Sequence, residues 1–171
     1  MPASSFTCVG FPPSIDANCT HIILGSMPGA ASLRAQQYYA YPQNRFWRLM
    51  AYLLEGSEPP QDYAARLQML LRHHIALWDS IASCEREGSL DSAIRAVKPN
   101  NFAALLAHYP RLSTFCLNGG KSAETFRRAN KNLLNRPDLT FHALPSTSAA
   151  NARWRFDDLA GAWKKALPLE R

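Results

Sequence analysis

Short apolar runs alternate along the chain with longer segments in which apolar residues recur at helical spacing. The apolar runs at 21–25, 75–79, 112–117 and 139–144 predict buried strands. Helices are predicted at about 32–38, 45–55, 63–73, 102–108 and 122–132, with a last one beginning near Phe156. This alternation is typical of an α/β fold, here a three-layer α/β/α sandwich around a central, mostly parallel four-stranded sheet. With 171 residues, the chain is expected to form a single domain over 1–171.

Some helix limits are predicted from residues that commonly begin or end helices. Ser32 is expected to cap the first helical turn, and Gly56 is expected to end the helix at 45–55. Residues 84–91 show neither the helical nor the strand pattern of apolar residues and are expected to be irregular and polar.

The chain is basic, with a net charge of +6 and a pI near 9.4. Its lysines and arginines are spread along the sequence, which favours a charged folded surface over a disordered arm. A basic domain of this size suits a polyanion such as DNA or RNA, although solubility alone accounts for the charge equally well.

Targeting signals are missing from the sequence pattern. No apolar stretch approaches the ~18–20 residues of a membrane span, so no membrane association is expected. The N-terminal residues form neither the basic nor the apolar region of a secretory signal. A cytoplasmic protein is therefore expected.

The sequence gives little support to a metal or cofactor. Four cysteines stand at irregular spacing without a Cys-x-x-Cys pair, at Cys8, Cys19, Cys84 and Cys116. Reduced, structural cysteines are expected, while an iron–sulfur cluster stays open in principle. The pair His73-His74 lacks a third ligand at useful spacing, which favours a surface pair. We expect no cofactor and no metal.

Familiar nucleotide-binding and hydrolase motifs do not fit. Residues 119–122 read Gly-Gly-Lys-Ser, but a phosphate-binding loop requires a glycine where Phe115 stands. The glycine spacing at 25–29 does not match a dinucleotide-binding fingerprint, and the chain has no Gly-x-Ser-x-Gly elbow.

Three predicted strands are followed by small, polar or glycine-rich segments, at 25–29, 118–121 and 145–148. Ligands of parallel sheets bind beyond the carboxyl ends of the strands, so we expect a site where these segments meet. Neutral donors and acceptors dominate there, and Asp79 is the one carboxylate near a strand end. Such a lining suits a neutral heterocycle, while the serines and backbone N–H groups suit phosphates.

Several segments carry a resemblance to a known family. "LGSMPG" with "YYAYPQNRFW", "LNGGK" and "LPSTSAAN" together resemble the signature motifs of the uracil-DNA glycosylase superfamily. The segment "LWDSIASCEREGSLDSAI" makes the chain most similar to the hypoxanthine-DNA (deoxyinosine) glycosylase family. The resemblance covers roughly residues 22–163.

One departure from the family pattern concerns the hydrolytic water. The resemblance implies a water-orienting asparagine in the first motif, where this chain has Met27. Methionine neither orients nor polarises water, and Asn44 is the catalytic candidate to replace that asparagine, as the hypoxanthine family is similar in relying on an asparagine near this segment. The alternative is that Asn44 only caps the helix that begins at Arg45, and one residue could do both.

The resemblance also implies substrate-binding residues. Tyr39 matches the aromatic residue on which the flipped base stacks, with ordinary packing as the alternative. Asn118 matches the asparagine that reads the base edge, with a turn residue as the alternative. Ser26 and the backbone of Met27 would line the base pocket.

DNA-binding residues are expected around these groups, at Gly29, Ser32, Lys121, Ser146, Thr147, Ser148, Asn151 and Arg153. Loop formation by the serines and a solvated Lys121 are the alternatives. Relatives place a Leu or Arg wedge after Pro-Ser, but the residues here are small, which leaves Asn151 or Arg153 for that role.

The resemblance implies a monofunctional DNA glycosylase that flips a deaminated base, hypoxanthine in first place, and hydrolyses its N-glycosidic bond by water attack at C1′. No lysine is evidently placed for a Schiff base, so an abasic site without strand scission is expected. A uracil-DNA glycosylase acting on mismatched or single-stranded uracil is one alternative, and a non-catalytic DNA-binding module is another. The expected partner is DNA that contains deaminated bases, and the chain is expected to be a monomer.

Overall fold

The computed structural model describes residues 6–169, and strands alternate with helices through most of this range. The strands are β1 (Thr7–Val9), β2 (His21–Gly25), β3 (Ile75–Asp79), β4 (Ile81–Glu85), β5 (Arg95–Pro99), β6 (Thr114–Asn118) and β7 (Thr140–Leu144). The helices are α1 (Ala30–Ala35), α2 (Phe46–Glu55), α3 (Tyr63–Arg72), α4 (Phe102–His108), α5 (Gly120–Ala129), α6 (Lys131–Leu134) and α7 (Phe156–Trp163). A short 3-10 turn lies at Asp91–Ala93.

The central sheet has four strands in the order β3-β2-β6-β7, and every neighbouring pair is parallel. Strand β2 lies inside the sheet, and its Ile22, Ile23 and Leu24 are fully buried. A parallel strand covered on both faces is apolar throughout rather than alternating, which explains why an uninterrupted apolar run forms it.

Helices cover both faces of this sheet. Ile23 packs with residues of α2, α3 and α7, including Met50, Leu70 and Trp163. On the opposite face Ile22 and Leu24 pack with residues of α4, α5 and α6, among them Phe102, Phe126 and Leu133. The predicted three-layer α/β/α sandwich is confirmed.

A second, smaller sheet was not predicted. Strands β1, β4 and β5 pair antiparallel in the order β1-β4-β5. The prediction that residues 84–91 are irregular is therefore wrong at its start, where β4 runs to Glu85. Strand β4 pairs with β1, where Glu85 lies opposite Thr7. Strand β5 is exposed along its whole length. Neither strand has the buried apolar run that identifies a core strand.

Two helix limits also differ from prediction. Ser32 lies inside α1 rather than capping it, because the helix begins after Gly29 and the Ser32 hydroxyl accepts from the Ala40 N–H. The single helix expected at 122–132 is two helices that meet at Asn130. Gly56 ends α2 as predicted, with a left-handed φ of 63°.

Within residues 6–169 the four cysteines are free, and no three His, Cys, Asp or Glu side chains form a group that could hold a metal ion. No helix in this range is long and apolar enough to cross a membrane.

Candidate active site

A large cleft opens at the carboxyl edge of the central sheet. Gly25 is paired with Asp79 across β2 and β3, and Asn118 is paired with Leu144 across β6 and β7, so these strand ends meet at one edge. The cleft has a volume of ≈ 1030 Å³ and is lined by the turn at 25–29, the loop at 144–151 and side chains from 38–44 and 79–91. This is the upper range of cavities that bind small ligands, and it leaves room for a nucleotide.

Four side chains from distant parts of the chain form one hydrogen-bond network in the cleft. The Asn118 Nδ2 donates to the Tyr39 hydroxyl at 3.0 Å and to the Thr147 Oγ1 at 3.1 Å. The Thr147 backbone N–H donates to the Asn118 Oδ1 at 3.1 Å, and the Thr147 hydroxyl donates to the Asn44 Oδ1 at 2.9 Å. The network therefore connects the segment at 39–44, the end of β6 and the loop after β7.

The network fixes which end of the Asn44 amide faces the cleft. Its Oδ1 accepts from the Thr147 hydroxyl and, at 3.0 Å, from the Phe46 backbone N–H. Both lone pairs of that oxygen are thus used, and the Nδ2 group is left as a donor. Arg45 rather than Asn44 is the residue that precedes α2, so Asn44 supports the first N–H of the helix without being its N-cap.

The side chain of Asn118 has no free hydrogen-bonding group with which to read a base. It is 8% exposed, and both of its amide hydrogens and its oxygen have partners in the protein. In this arrangement Asn118 positions Tyr39 and Thr147, and a base would have to displace one of these partners to contact its amide.

Tyr39 presents a half-buried ring in the cleft. One face of the ring stacks on Phe46, with centroids 4.0 Å apart and an angle of 25° between the planes. Its φ of 55° is left-handed, which is unusual for a bulky residue and turns the ring toward the strand ends. Burial raises the pKa of the Tyr39 hydroxyl above its ordinary value, so it remains neutral.

The turn after β2 lines the cleft, while the apolar side chain of its Met27 packs elsewhere. Met27 lines the cleft, but its side chain packs in a small cluster with Ile81, Cys84 and Ile94. The Ser26 hydroxyl donates to the Asp91 carboxylate at 2.7 Å. At this position the chain therefore offers backbone and one hydroxyl group to a ligand.

The segment at 80–91 clamps this turn, a role that was not predicted. The backbone N–H groups of Ser80 and Ile81 donate to the carbonyl oxygens of Gly25 and Ser26. The buried Arg86 donates to the Pro28 carbonyl oxygen. The family resemblance includes residues 77–94, but it assigned no role to Ser80, Ile81 or Arg86.

A second contact of the same segment holds the start of α1. The Ser89 Oγ accepts from the Ala30 backbone N–H at 2.8 Å, which gives one otherwise unpaired N–H of the helix a partner. The turn and the helix behind it are thus fixed to the smaller sheet.

Asp79 is a buried carboxyl group on the floor of the cleft. It is 4% exposed, and its Oδ2 has no hydrogen-bond partner among the described residues. Burial raises its pKa from the ordinary 3.8 to about 7, while Arg86 opposes the change and Asp91 adds to it. Gly25 makes room for the group, because a Cβ there would lie 2.6 Å from the Asp79 Oδ1 and 3.1 Å from the Tyr39 hydroxyl oxygen.

The loop after β7 is held by Arg45. Its guanidinium donates to the carbonyl oxygens of Ser148, at 2.9 Å, and Asn151, at 3.1 Å, and also to that of Trp154. Arg45 is therefore an internal clamp rather than one of the charges of a DNA-facing surface. Thr147 is 0% exposed, and its hydroxyl connects Asn118 to Asn44, so this side chain has no free surface for the expected contact with DNA.

Other expected DNA contacts line the cleft while also bonding locally. Ser146 accepts from the Ser148 N–H, Ser148 accepts from the Ala150 N–H, and Asn151 donates to the Ser146 carbonyl oxygen. Gly29 and the buried Ser32 also lie along the lining.

Two expected DNA contacts are not brought to the cleft. Lys121 lies on α5 and Arg153 lies beyond the loop, and neither belongs to the lining residues. Arg34 does line the cleft and is the cation among its described lining residues. It had been grouped with the general basic surface, because nothing in its sequence surroundings marks it.

Comparisons with known proteins identify the family of the chain. The uracil DNA glycosylase superfamily matches residues 12–167 of the chain. Proteins named hypoxanthine DNA glycosylase from Methanosarcina acetivorans and Methanosarcina barkeri are each 38% identical, over 145 and 144 residues. These matches cover 85% and 84% of this chain and 89% and 88% of the relatives.

A solved structure shows the same fold. It is the solution NMR structure of a Methanosarcina acetivorans protein described as a candidate uracil DNA glycosylase, with a TM-score of 0.77 and 34% identity. The match covers 94% of this chain and 98% of that one. The chain belongs to the uracil DNA glycosylase superfamily.

Proposed function

We propose that this protein is a monofunctional DNA glycosylase that removes hypoxanthine from deoxyinosine in DNA. The observation that carries the proposal is the fixed Asn44 amide, which offers its Nδ2 to the cleft a few residues after the Tyr39 ring. The two relatives named hypoxanthine DNA glycosylase support hypoxanthine as the base.

The proposed reaction needs a flipped nucleotide and one water. The deoxyinosine leaves the duplex, and its base lies against the face of Tyr39 that Phe46 does not cover. As the base departs, the sugar becomes an oxocarbenium-like cation, which nearby DNA phosphates stabilise. A water that accepts a hydrogen bond from the Asn44 Nδ2 then attacks C1′. Because such a cation is strongly electrophilic, the water needs orientation more than it needs a base.

The DNA contacts are proposed from the residues that line the cleft. Ser26, Met27 and Asn118 line or position the base pocket, and Gly29, Ser32, Ser146, Ser148 and Asn151 lie where the strand would pass. Lys121 and Arg153 are kept as outer contacts only. Asn151, from the cleft lining, is preferred over Arg153 as the residue that fills the space left by the base.

Asn44→Ala tests the proposal. Single-turnover release of hypoxanthine should fall by about 10²-fold or more, with binding to the same DNA retained, since positioning of a reacting water contributes on this order. Asn44→Asp is the matched variant, because it keeps an oxygen for Phe46 and Thr147 but loses the Nδ2 donor. Unchanged rates in Asn44→Ala contradict the catalytic assignment.

Uracil is the second candidate substrate, favoured by the name of the superfamily and of the solved relative. One oligonucleotide series with hypoxanthine, uracil, xanthine or thymine at the same position separates the two, with alkaline cleavage of abasic sites as the readout. Binding without release from any of these substrates would instead identify a non-catalytic DNA-binding protein.

A further inference from the structure

Asp79 lines the cleft and lies close to the hydroxyl of Tyr39, the residue on which the base is proposed to stack. It is at the end of β3, directly across from Gly25, and a Cβ at Gly25 would lie 2.6 Å from the Asp79 Oδ1 and 3.1 Å from the Tyr39 hydroxyl oxygen, so both polar groups lie beside Gly25. A base stacked on Tyr39 would then have an edge on the side of the cleft that Asp79 lines.

None of the described residues forms a hydrogen bond with one oxygen of this carboxyl group. The Asp79 Oδ2 is buried without a hydrogen-bond partner, although an unpaired polar group in the interior costs about 1–3 kcal/mol. Arg86 is close enough to affect its charge but forms no hydrogen bond with it, and donates instead to the Pro28 carbonyl oxygen. A purely structural residue at this position would be expected to have partners.

We infer that Asp79, in its protonated form, is a catalytic acid that donates its proton to a ring nitrogen of the departing purine. N7, the most basic ring nitrogen of hypoxanthine, is the acceptor we assign. This inference rests on the proposed glycosylase function and adds a second catalytic residue to Asn44.

The C1′–N9 bond breaks and its electron pair goes to the base, while the Asp79 proton moves to N7, so hypoxanthine leaves as a neutral molecule. The carboxyl group becomes a carboxylate beside the sugar cation. Water forms the new C1′–O bond and releases one proton to solvent, and the carboxylate takes one proton back from solvent. One water is consumed in each turnover.

The electrostatic surroundings support a protonated carboxyl group in the resting protein. Burial raises the pKa of Asp79 to about 7, against the reverse effect of Arg86. Asp91 adds to this rise, and the other titratable neighbours are the phenols of Tyr38, Tyr39 and Tyr63, whose pKa values burial also raises. A general acid works best when its pKa lies near the working pH.

An acid at this position suits one class of leaving base better than another. A purine has a basic ring nitrogen outside the pairing edge, whereas uracil has none and departs as an anion. A carboxylic acid on the cleft floor therefore favours a purine, while a carboxylate there would repel an anionic base.

The test is single-turnover base release from a deoxyinosine duplex by Asp79→Asn, with Glu85→Gln as the charge-matched control. Glu85 is an exposed carboxylate on β4 and does not line the cleft. We expect Asp79→Asn to lower the rate by about 10²–10⁴-fold and Glu85→Gln to leave it unchanged. Binding to the same duplex and the unfolding midpoint are measured alongside, so that a loss of folding is recognised.

The pH profile separates acid catalysis from a structural role. The wild-type rate should fall as pH rises through about 7, below the pH at which N1 of deoxyinosine ionises, and the residual rate of Asp79→Asn should not depend on pH in this range. A wild-type rate that rises with pH, an Asp79→Asn rate equal to wild type, or a profile that disappears in Asp91→Asn instead would overturn the inference. If the wild-type protein releases no base from any lesion, the proposed function itself has failed.

Discussion

Thr147→Val tests whether the buried network orders the active site. The substitution keeps the shape of the side chain and removes one hydroxyl, which donates to the Asn44 Oδ1 and accepts from the Asn118 Nδ2. Thr147 is fully buried, so water cannot replace the hydroxyl.

The expected loss of stability follows from the hydrogen-bonding groups that lose the Thr147 hydroxyl as a partner. One amide hydrogen of Asn118 loses its partner in the interior, at a cost of about 1–3 kcal/mol, while Asn44 keeps the Phe46 N–H. We therefore expect the free energy of unfolding to fall by about 2 kcal/mol. For a chain of this size that corresponds to a melting temperature lower by about 4–8 °C.

Activity should fall further than stability alone explains. Without the hydroxyl, the Asn44 amide can rotate, and a water held by its Nδ2 loses its fixed direction. A small displacement of this kind lowers a rate by up to about 10²-fold. Stability is measured by urea unfolding followed through tryptophan fluorescence, and activity by single-turnover release of hypoxanthine by folded protein.

Thr147→Ser is the matched control, since it loses a methyl group but keeps the hydroxyl. It should be destabilised by about 1 kcal/mol and retain most of the rate. If Thr147→Val matches wild type in both measurements, or if Thr147→Ser loses as much activity as Thr147→Val, the network does not order Asn44.

Two further predictions concern charge. Because the folded protein holds Asp79 at a pKa of about 7 instead of 3.8, the contribution of Asp79 to the free energy of unfolding should decrease by about 4 kcal/mol as pH rises from below 4 to above 7. Asp79→Asn should lose this decrease, as urea unfolding across that range would show; equal pH dependence in both proteins contradicts the burial argument. Arg34→Gln should weaken DNA binding and reduce the slope of log affinity against log salt by about 1. Arg128→Gln, at an exposed position on α5, should change neither quantity. Fluorescence-anisotropy titrations at several salt concentrations measure both.

The central sheet was predictable because its strands are buried on both faces. The run at 21–25 forms β2 with the same limits, and the three other runs form β3, β6 and β7 within about two residues. The common edge of their carboxyl ends then located the site. Strands β4 and β5 were missed, since their pairing is antiparallel, β4 buries only Ile81 and Cys84, and β5 is exposed throughout.

The candidate site could be predicted in composition but not in its hydrogen bonding. The sequence motifs indicated Asn44, Tyr39 and Asn118, and the structure brings these side chains into one network. Motifs do not indicate which end of an amide faces a ligand, or that Thr147 is buried and connects two asparagines. Asp79 was visible as a carboxylate at a strand end, but its missing partner is a property of the packed interior.

The clamp between Asn44, Arg45 and the loop after β7 has a consequence for how the enzyme is made. Its hydrogen bonds join residues separated by 102 to 109 positions in the chain. Contacts of such long range are slow to form, because a large loop must close first. During synthesis Tyr39 and Asn44 emerge long before the loop after β7, so a partly made chain carries both side chains without the Thr147 hydroxyl that fixes the Asn44 amide. Recovery of base release during refolding should therefore follow the slowest structural step.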